Sequence, residues 1–284
     1  KNGSVMRAVY EQPALARQDG LWMLNNKRWG RIGGINGHGY NLTIGKDFLF
    51  DEHGYYGLLF DYGSNTVSGA AGSGEYDSYS LGLYAGNKNK PGSITGFVSY
   101  GLQANKGTAY LPVLGQTAES GYDSKTLGIG VEYAYDLDYG KPEELWHVSP
   151  YARLNFTHYR QKAFREHGAG VFDRSFGSYS DNYAEGELGL SFDRSEGTGG
   201  YGIRLGYKRI LAGERQLMEV CFAEDECGSL LPVRSWGEGR NHFVAAAYVR
   251  HDFSRKWSAG GSLSGDWSNG GREIGARLDL AYHF

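Results

Sequence analysis

The sequence lacks the long apolar runs from which membrane-spanning helices are made. No stretch approaches the ~18 uncharged apolar residues that such a helix needs, so a helical membrane protein is excluded. The net charge is only −3 and no Lys/Arg run occurs, which argues against nucleic acid as a partner. Glycine recurs without a Gly-X-Y period, which excludes collagen.

Glycine and tyrosine are abundant instead. The 45 glycines among 284 residues are about twice the average usage of 7%. The 22 tyrosines contribute to an aromatic content of 14%, which is too high for a disordered chain. The mean hydropathy of −0.50 suits a transmembrane barrel, because lipid-facing and water-facing residues alternate there and cancel in the average.

The last two segments of the chain alternate strictly between apolar and polar residues. Every second residue from Ile274 to Phe284 is apolar, and the intervening residues include charged groups. The run from Trp257 to Trp267 follows the same rule, and Asn269–Gly271 between them is a tight-hairpin signal. A period of two predicts strands with one apolar and one polar face.

The rest of the chain divides in the same way. We predict twelve strands of about 10–18 residues, longer than the ~5–6 residues of soluble strands and sufficient for the ~9–11 residues of a membrane-spanning strand. Their approximate bounds are 21–32, 40–50, 55–66, 75–87, 93–106, 123–138, 146–163, 182–195, 200–211, 240–253, 257–268 and 272–284.

The predicted connections alternate between short turns and longer loops. The longer ones include 67–74, 107–122, 164–181 and 212–239. This alternation is typical of outer-membrane barrels, and an even number of strands puts both termini on the short-turn side. We therefore predict an all-β fold: a transmembrane up-and-down antiparallel β-barrel of about twelve strands over residues 20–284, with short turns and termini in the periplasm and long loops outside the cell.

The polar rows of these strands are expected to face the lumen and line a pore. They carry both signs of charge, which favours a hydrated, ion-paired wall over a filter for ions of one sign. The candidates are Glu132, Asp136, Arg153, Glu185, Glu187, Asp193, Arg204, Lys208, Asp266, Glu273, Arg277 and Asp279.

Residues 1–19 form a separate segment ahead of the barrel. The chain starts at Lys1 without an initiator Met or a signal peptide, which we interpret as a mature product or a fragment of a longer protein. The segment mixes charge, Pro13 and the apolar stretch Ser4–Tyr10. Two interpretations stay open: a disordered tail, or a partly helical linker that threads and plugs the lumen.

Several segments resemble the C-terminal translocator domain of autotransporters, the β-domain of type V secretion, over about residues 20–284. The ending, with Leu278, Leu280, Tyr282 and the terminal Phe284 alternating, resembles the signal read by the barrel-assembly machinery. The other matching segments are Gly20–Met23, Arg28–Arg31, Tyr40–Asp47, Tyr79–Tyr84 and Ser149–Arg153.

The resemblance implies a function. A barrel of this family lies in the outer membrane of Gram-negative bacteria, contacts its lipid and the barrel-assembly machinery, and brings a passenger attached in cis to the cell surface. Some members release the passenger by cleavage in the lumen at an Asn helped by a carboxylate. Asn2, Asn25 and Asn26 match by residue type alone, and no motif identifies a cleavage site.

Two other classes of protein stay open: a small outer-membrane diffusion channel and an outer-membrane hydrolase. Asp266–Gly270 places a Ser beside a loop, but the His expected two residues earlier is replaced by Asp266. His251 and Asp252 are adjacent, hence on opposite faces of a strand. No His shares metal-ligand spacing with Cys, Asp or Glu. We therefore expect no catalytic residues, no metal and no cofactor.

The two cysteines, Cys221 and Cys227, lie in the longest predicted link. Such pairs form disulfides in the oxidising environment outside the cytoplasm. We predict a Cys221–Cys227 disulfide that closes a small acidic lobe, Glu224–Glu226, over the pore mouth.

Overall fold

The computed structural model describes residues 3–10, 19–89, 91–138, 146–213, 217–222, 231–234 and 239–284. Twelve strands form a closed barrel in which all neighbours are antiparallel. Their bounds are β1 Gly20–Ile32, β2 Ile35–Leu49, β3 Gly54–Gly69, β4 Gly72–Asn87, β5 Gly92–Leu111, β6 Gln116–Tyr135, β7 His147–Gln161, β10 Tyr179–Glu196, β11 Gly199–Ala212, β14 Asn241–Asp252, β15 Trp257–Ser268 and β16 Gly271–His283.

The alternation of the sequence is reproduced as an outward and an inward row on each strand. Leu81, Leu188 and Leu278 face outward and are 66%, 65% and 71% exposed, although they are fully apolar. Large apolar side chains exposed on every strand require a lipid environment rather than water. The barrel closes where β1 pairs with β16 along its whole length, from Gly20 opposite His283 to Ile32 opposite Gly271. No helix among the described residues is long and apolar enough to cross a membrane.

The end of the barrel that carries Gly20 and His283 is called here the short-turn end. Its turns are compact, as in Ser254–Lys256, and Asp51 shows how they are held. The backbone N–H groups of His53 and then Gly54 donate to the Asp51 carboxylate and hold its pKa below the ordinary value. The opposite end is called the long-loop end.

Two of the long loops predicted from the sequence, 67–74 and 107–122, are wrong. Strands β3 and β4 continue to a tight turn between Gly69 and Gly72, and β5 and β6 pair as far as Leu111 and Gln116. These extensions project beyond the apolar band and meet water on both faces. Their side chains therefore lose the alternation that identified the strands in the sequence.

Four short strands form a second sheet at the long-loop end, with the order β13-β12-β9-β8. Phe164 stacks between Tyr122 of β6 and Phe176, with ring centroids 4.2 and 4.5 Å apart, and Arg174 donates twice to Glu166 at 2.7 Å. The short strands are β8 Phe164–Arg165, β9 Arg174–Phe176, β12 Leu217–Phe222 and β13 Leu231–Arg234, with a 3₁₀ turn at Gly170–Phe172.

A short helix, α1 (Gly3–Tyr10), lies inside the barrel. Val5, Ala8, Val9 and Tyr10 of α1 are 1–5% exposed, and they share a buried cluster with inward-facing residues of the strands. The lumen is thus filled in part by the chain that precedes β1.

Candidate functional site

The helix packs on an aromatic and apolar wall made by the first five strands. Tyr10 meets Phe97 edge to face, with ring centroids 5.5 Å apart, and Leu59 is buried in the same cluster. The approach depends on Gly130, where a Cβ would lie 2.5 Å from the Tyr10 hydroxyl and from the Phe97 ring. Any larger residue at position 130 would displace Tyr10. The sequence signal for this contact is a glycine on an inward row.

A cluster of polar and aromatic side chains on the short-turn side of the helix was not predicted from the sequence. Trp22 of β1 donates from Nε1 to Asp47 of β2 at 3.0 Å, and Tyr84 of β4 also donates to Asp47. The indole lies over Gly45, where a Cβ would come within 2.2 Å of the ring. The cluster links the neighbouring strands β1, β2 and β4 on the lumen side of the barrel, at the short-turn end. The sequence signal for this cluster is that Trp22 and Asp47 both lie on inward rows.

The opposite wall of the lumen carries an ion-pair network on β6, β7, β10 and β11. Glu132 is at its centre: it accepts from Arg153 at 2.7 Å and from Arg204 at 2.8 Å. Arg153 also lies 3.4 Å from Glu187, and Glu187 accepts the Tyr151 hydroxyl at 2.7 Å. The two cations and two anions compensate each other, and the Glu132 carboxylate forms an ion pair with both arginines.

The end of α1 is bound to this network. Arg204 donates to the backbone carbonyl of Tyr10 at 3.3 Å, where the helix leaves carbonyls without intrahelical partners. The guanidinium of Arg153 lies 4.5 Å from the Tyr10 ring centroid, and the Tyr10 hydroxyl donates to Asn155 at 3.3 Å. Tyr10 therefore joins the apolar wall to the charged wall.

Eleven of the twelve predicted pore-lining residues lie on inward rows of the strands, and Asp136 directly follows β6; their role in a pore stays a prediction. Nine of the twelve belong to the helix-binding network or to separate ion pairs. The ion pairs outside the network are Lys208–Asp266, Arg277–Asp279 at 2.8 Å and Arg28–Glu273 at 3.8 Å. Glu185 accepts from Asn155 at 3.2 Å, Asp193 accepts from Ser191 at 2.7 Å, and Asp136 directly follows β6 at the short-turn end.

Two cavities lie in the lumen. The larger one has a volume of about 410 Å³ and is lined by Met6 and by inward residues near the long-loop end such as Ser268. The smaller, of about 300 Å³, includes Tyr10 and residues of the short-turn end such as Ser195. Arg204 borders both. Met6, in the middle of α1, therefore borders the long-loop side, and Tyr10, at its end, borders the short-turn side.

The structure brings together one group of metal-ligand type that the sequence spacing did not reveal. Asp136, Asp138 and His147 offer ligand atoms within 4.8 Å of one another at the short-turn end. Asp138 follows β6 and His147 begins β7, so the group arises from strand pairing rather than from a motif. Of the predicted disulfide pair, Cys221 is buried in β12 and is not a free thiol, whereas Cys227 lies outside the described residues. The pairing stays a prediction.

The segments considered for catalysis have structural roles. Ser268 caps the β15–β16 turn, accepting from the Gly271 N–H at 3.1 Å and donating to its carbonyl. His251 meets Phe253 edge to face on the outside, whereas Asp252 pairs with Arg250 at 2.9 Å. A Ser258–His283 hydrogen bond of 3.1 Å was not predicted, and Ser258 is 1% exposed, so no substrate reaches it. Of the candidate asparagines, Asn25 faces outward, Asn26 faces inward, and Asn2 lies outside the described residues.

The four residues of the predicted assembly signal form an outward row on the last strand. Leu278 and Leu280 are exposed, and Tyr282 contacts Trp257 and Phe284 with ring centroids 4.9 and 5.6 Å apart. The row is continuous to the chain end, where the Phe284 N–H donates to the carbonyl of Asp19 at 3.0 Å.

A closed barrel of twelve antiparallel strands, apolar outside and polar inside, defines an outer-membrane barrel. The sequence profile of the autotransporter beta-domain matches residues 21–264, and the chain belongs to that family. It is thus a barrel of the Gram-negative outer membrane that translocates a passenger attached in cis. A search of curated proteins finds no match.

Solved structures of translocator domains share the fold. The translocator domain of autotransporter NalP from Neisseria meningitidis matches with a TM-score of 0.80 and 19% identity, over 99% of this chain and 94% of that one. The beta domain of the Bordetella autotransporter BrkA matches with a TM-score of 0.67 and 14% identity, over 94% and 100%. The transport unit of AIDA-I from Escherichia coli gives 0.61 and 11%, over 99% and 97%.

Proposed function

We propose that the structure represents the barrel after translocation, with α1 as the part of the passenger linker that stays in the lumen. In this proposal the termini of the barrel lie in the periplasm and the long-loop end lies outside the cell. The supporting observation is the direction of the chain. Met6 of α1 borders the cavity on the long-loop side and Tyr10 the cavity on the short-turn side, while Asp19 and Gly20 lie at the short-turn end.

The binding of α1 explains how such a linker is retained. Its apolar side chains Val5, Val9 and Tyr10 are buried on the wall of β1–β5, and Arg204 holds its last carbonyl. Burying three such side chains is worth about 1.5–3 kcal/mol each. A linker of this composition would stay in the lumen, whereas a fully polar one would gain nothing there.

The outward rows support the proposed partners. Lipid would contact the exposed apolar residues of all twelve strands, and the assembly machinery would read Leu278, Leu280, Tyr282 and Phe284 on the last strand. Translocator barrels are generally non-enzymatic. We propose the same for this barrel, because Ser258 is buried, Ser268 caps a turn and His251 faces outward.

The alternative of a diffusion channel is disfavoured by the lumen itself. The helix and the Glu132 network meet across the barrel through Tyr10, and Arg204 borders the cavities on both sides of this contact. Small solutes would have to displace packed side chains to pass.

Epitopes at three positions test direction and orientation together. One is placed ahead of Lys1, one in the turn Pro112–Gly115 of the long-loop end, and one in the turn Ser254–Lys256 of the short-turn end. On intact cells, antibodies should bind the first two epitopes, and should bind the third only after permeabilisation. Heat-modifiable migration on gels confirms that each tagged barrel is folded. An exposed Pro112–Gly115 epitope with a hidden N-terminal epitope would contradict translocation, and an exposed Ser254–Lys256 epitope would contradict the orientation.

A further inference from the structure

The outward surface beside the closing strand pair carries positive charges at the long-loop end. Arg31 of β1 and Arg272 of β16 are directly opposite each other, and both are exposed. Lys27 lies on the same outward row of β1, with its Nζ 5.3 Å from the centroid of the Trp29 ring. The Lys27 side chain therefore lies beside Trp29, which is nearer to the long-loop end. We call Lys27, Arg31 and Arg272, with Trp29 and Trp267 beside them, the seam patch.

No carboxylate faces outward on the four fully described strands of this surface. The outward rows of β15, β16, β1 and β2 contain no Asp or Glu. No ion pair joins Lys27, Arg31 or Arg272 to a described residue. Two outward cations elsewhere near the long-loop end have carboxylate partners. Lys106 lies 3.8 Å from Glu75, and Lys162 lies 3.2 Å from Asp123.

Like charges directly opposite on neighbouring strands destabilise a sheet, because their Cβ atoms are only about 5 Å apart. Arg31 and Arg272 have this arrangement at the strand pair that closes the barrel. An anion bound between them would remove the repulsion. Two guanidinium groups suit a phosphate, since each can donate two parallel hydrogen bonds to its oxygens.

The surroundings of the seam patch identify the kind of anion. Trp29 and Trp267 are 45% and 41% exposed and are the residue type found at membrane interfaces. Toward the middle of the barrel the outward residues are apolar, with Ile274 50% and Leu263 64% exposed. A ligand here meets cations at its head and apolar side chains along its body. We propose that the seam patch binds a phosphorylated lipid of the outer leaflet, with its phosphate between Arg31 and Arg272 and its acyl chains on the apolar rows.

The proposal rests on the orientation given under Proposed function, because the long-loop end must lie in the outer leaflet. The full chain in nonionic detergent is titrated with diphosphorylated lipid A, with uncharged diacylglycerol and with inorganic phosphate, and bound molecules are counted by native mass spectrometry. Lipid A should bind and the other two should not. Binding of inorganic phosphate with equal affinity would overturn the assignment to a lipid.

Variants separate the seam patch from the surface as a whole. Arg31→Gln with Arg272→Gln should weaken lipid A binding about thirtyfold, since each basic residue at an anionic surface contributes about fivefold. Lys106→Gln, the matched control at a paired outward cation, should leave it unchanged. Equal affinity in the double variant and the native chain would overturn the proposal.

Arg31→Glu provides an independent measurement. It places opposite charges across β1 and β16, so in lipid-free detergent the barrel should unfold at a higher temperature than the native chain while lipid A binding is lost. A lower unfolding temperature would show that the two arginines do not repel, which also overturns the proposal. Epitope display on cells is measured for the same variants. Failure of display in the native chain would contradict the proposed function, whereas failure of lipid binding alone would contradict only this inference.

Discussion

Glu132 allows the energetics of the lumen to be tested with a single atom replaced. Arg153 and Arg204 approach its two carboxylate oxygens at 2.7 and 2.8 Å, and the side chains of Glu132, Arg153 and Arg204 are 11%, 5% and 15% exposed. In Glu132→Gln the amide oxygen can accept from one arginine, but the amide NH₂ faces the donors of the other. One buried cation is then left without compensation.

Removing one partner of a buried ion pair costs about 3–5 kcal/mol, whereas an exposed pair contributes about 0–1 kcal/mol. We expect Glu132→Gln to lower the free energy of unfolding by about 3 kcal/mol. Glu75→Gln is the matched control, because its pair with Lys106 spans 3.8 Å and both side chains are more than half exposed. It should lower the free energy by less than about 1 kcal/mol.

The measurement is reversible urea unfolding in lipid vesicles, followed by tryptophan fluorescence and by heat-modifiable migration. Both variants change one negative charge to neutral and keep the shape of the side chain. If they lose the same free energy, water in the lumen solvates Arg153 and Arg204 fully, and the argument that the network is a buried structural unit is refuted.

Two further predictions concern the last strand and the cysteines. Tyr282→Asp with Phe284→Asp should strongly reduce the amount of folded barrel in the outer membrane, because charges replace the lipid-facing row of the strand that closes the barrel; unchanged heat-modifiable barrel in membrane fractions would contradict this. Cys221 and Cys227 should resist thiol-labelling reagents in the native protein and react only after reduction, and ready labelling of both without reductant would exclude the disulfide.

The fold could be predicted from the sequence because the membrane forces a period of two on each strand. The predicted bounds of β15 coincide with those observed, those of β1 differ by one residue at its start, and those of β16 differ by one residue at each end. The pattern fails where water meets both faces. The extensions of β3 to Gly69 and of β6 back to Gln116 therefore could not be distinguished from loops, and neither could the small sheet that contains Phe164.

The site was less accessible to sequence reasoning. Inward rows could be listed, but a list does not show which charges meet, since Glu132 and Arg204 are 72 residues apart and come together only through barrel closure. The contact of Tyr10 with Arg153 depends on the position of α1 in the lumen, which no local pattern specifies. In the sequence Gly130 indicates only that a side chain is missing on an inward row. The structure is needed to show that Tyr10 and Phe97 occupy the space.

The buried cluster around α1 has a consequence for the order of folding. It contains Trp22 and Leu24 from β1 and Ala281 from β16, so the helix lies beneath the strand pair that joins the two ends of the barrel. That pairing connects segments about 250 residues apart in sequence and has the highest loop-closure entropy in the molecule. A buried cluster that includes residues of both partners would lower the barrier to this last step. We therefore expect the rate at which the barrel closes to depend on whether α1 occupies the lumen.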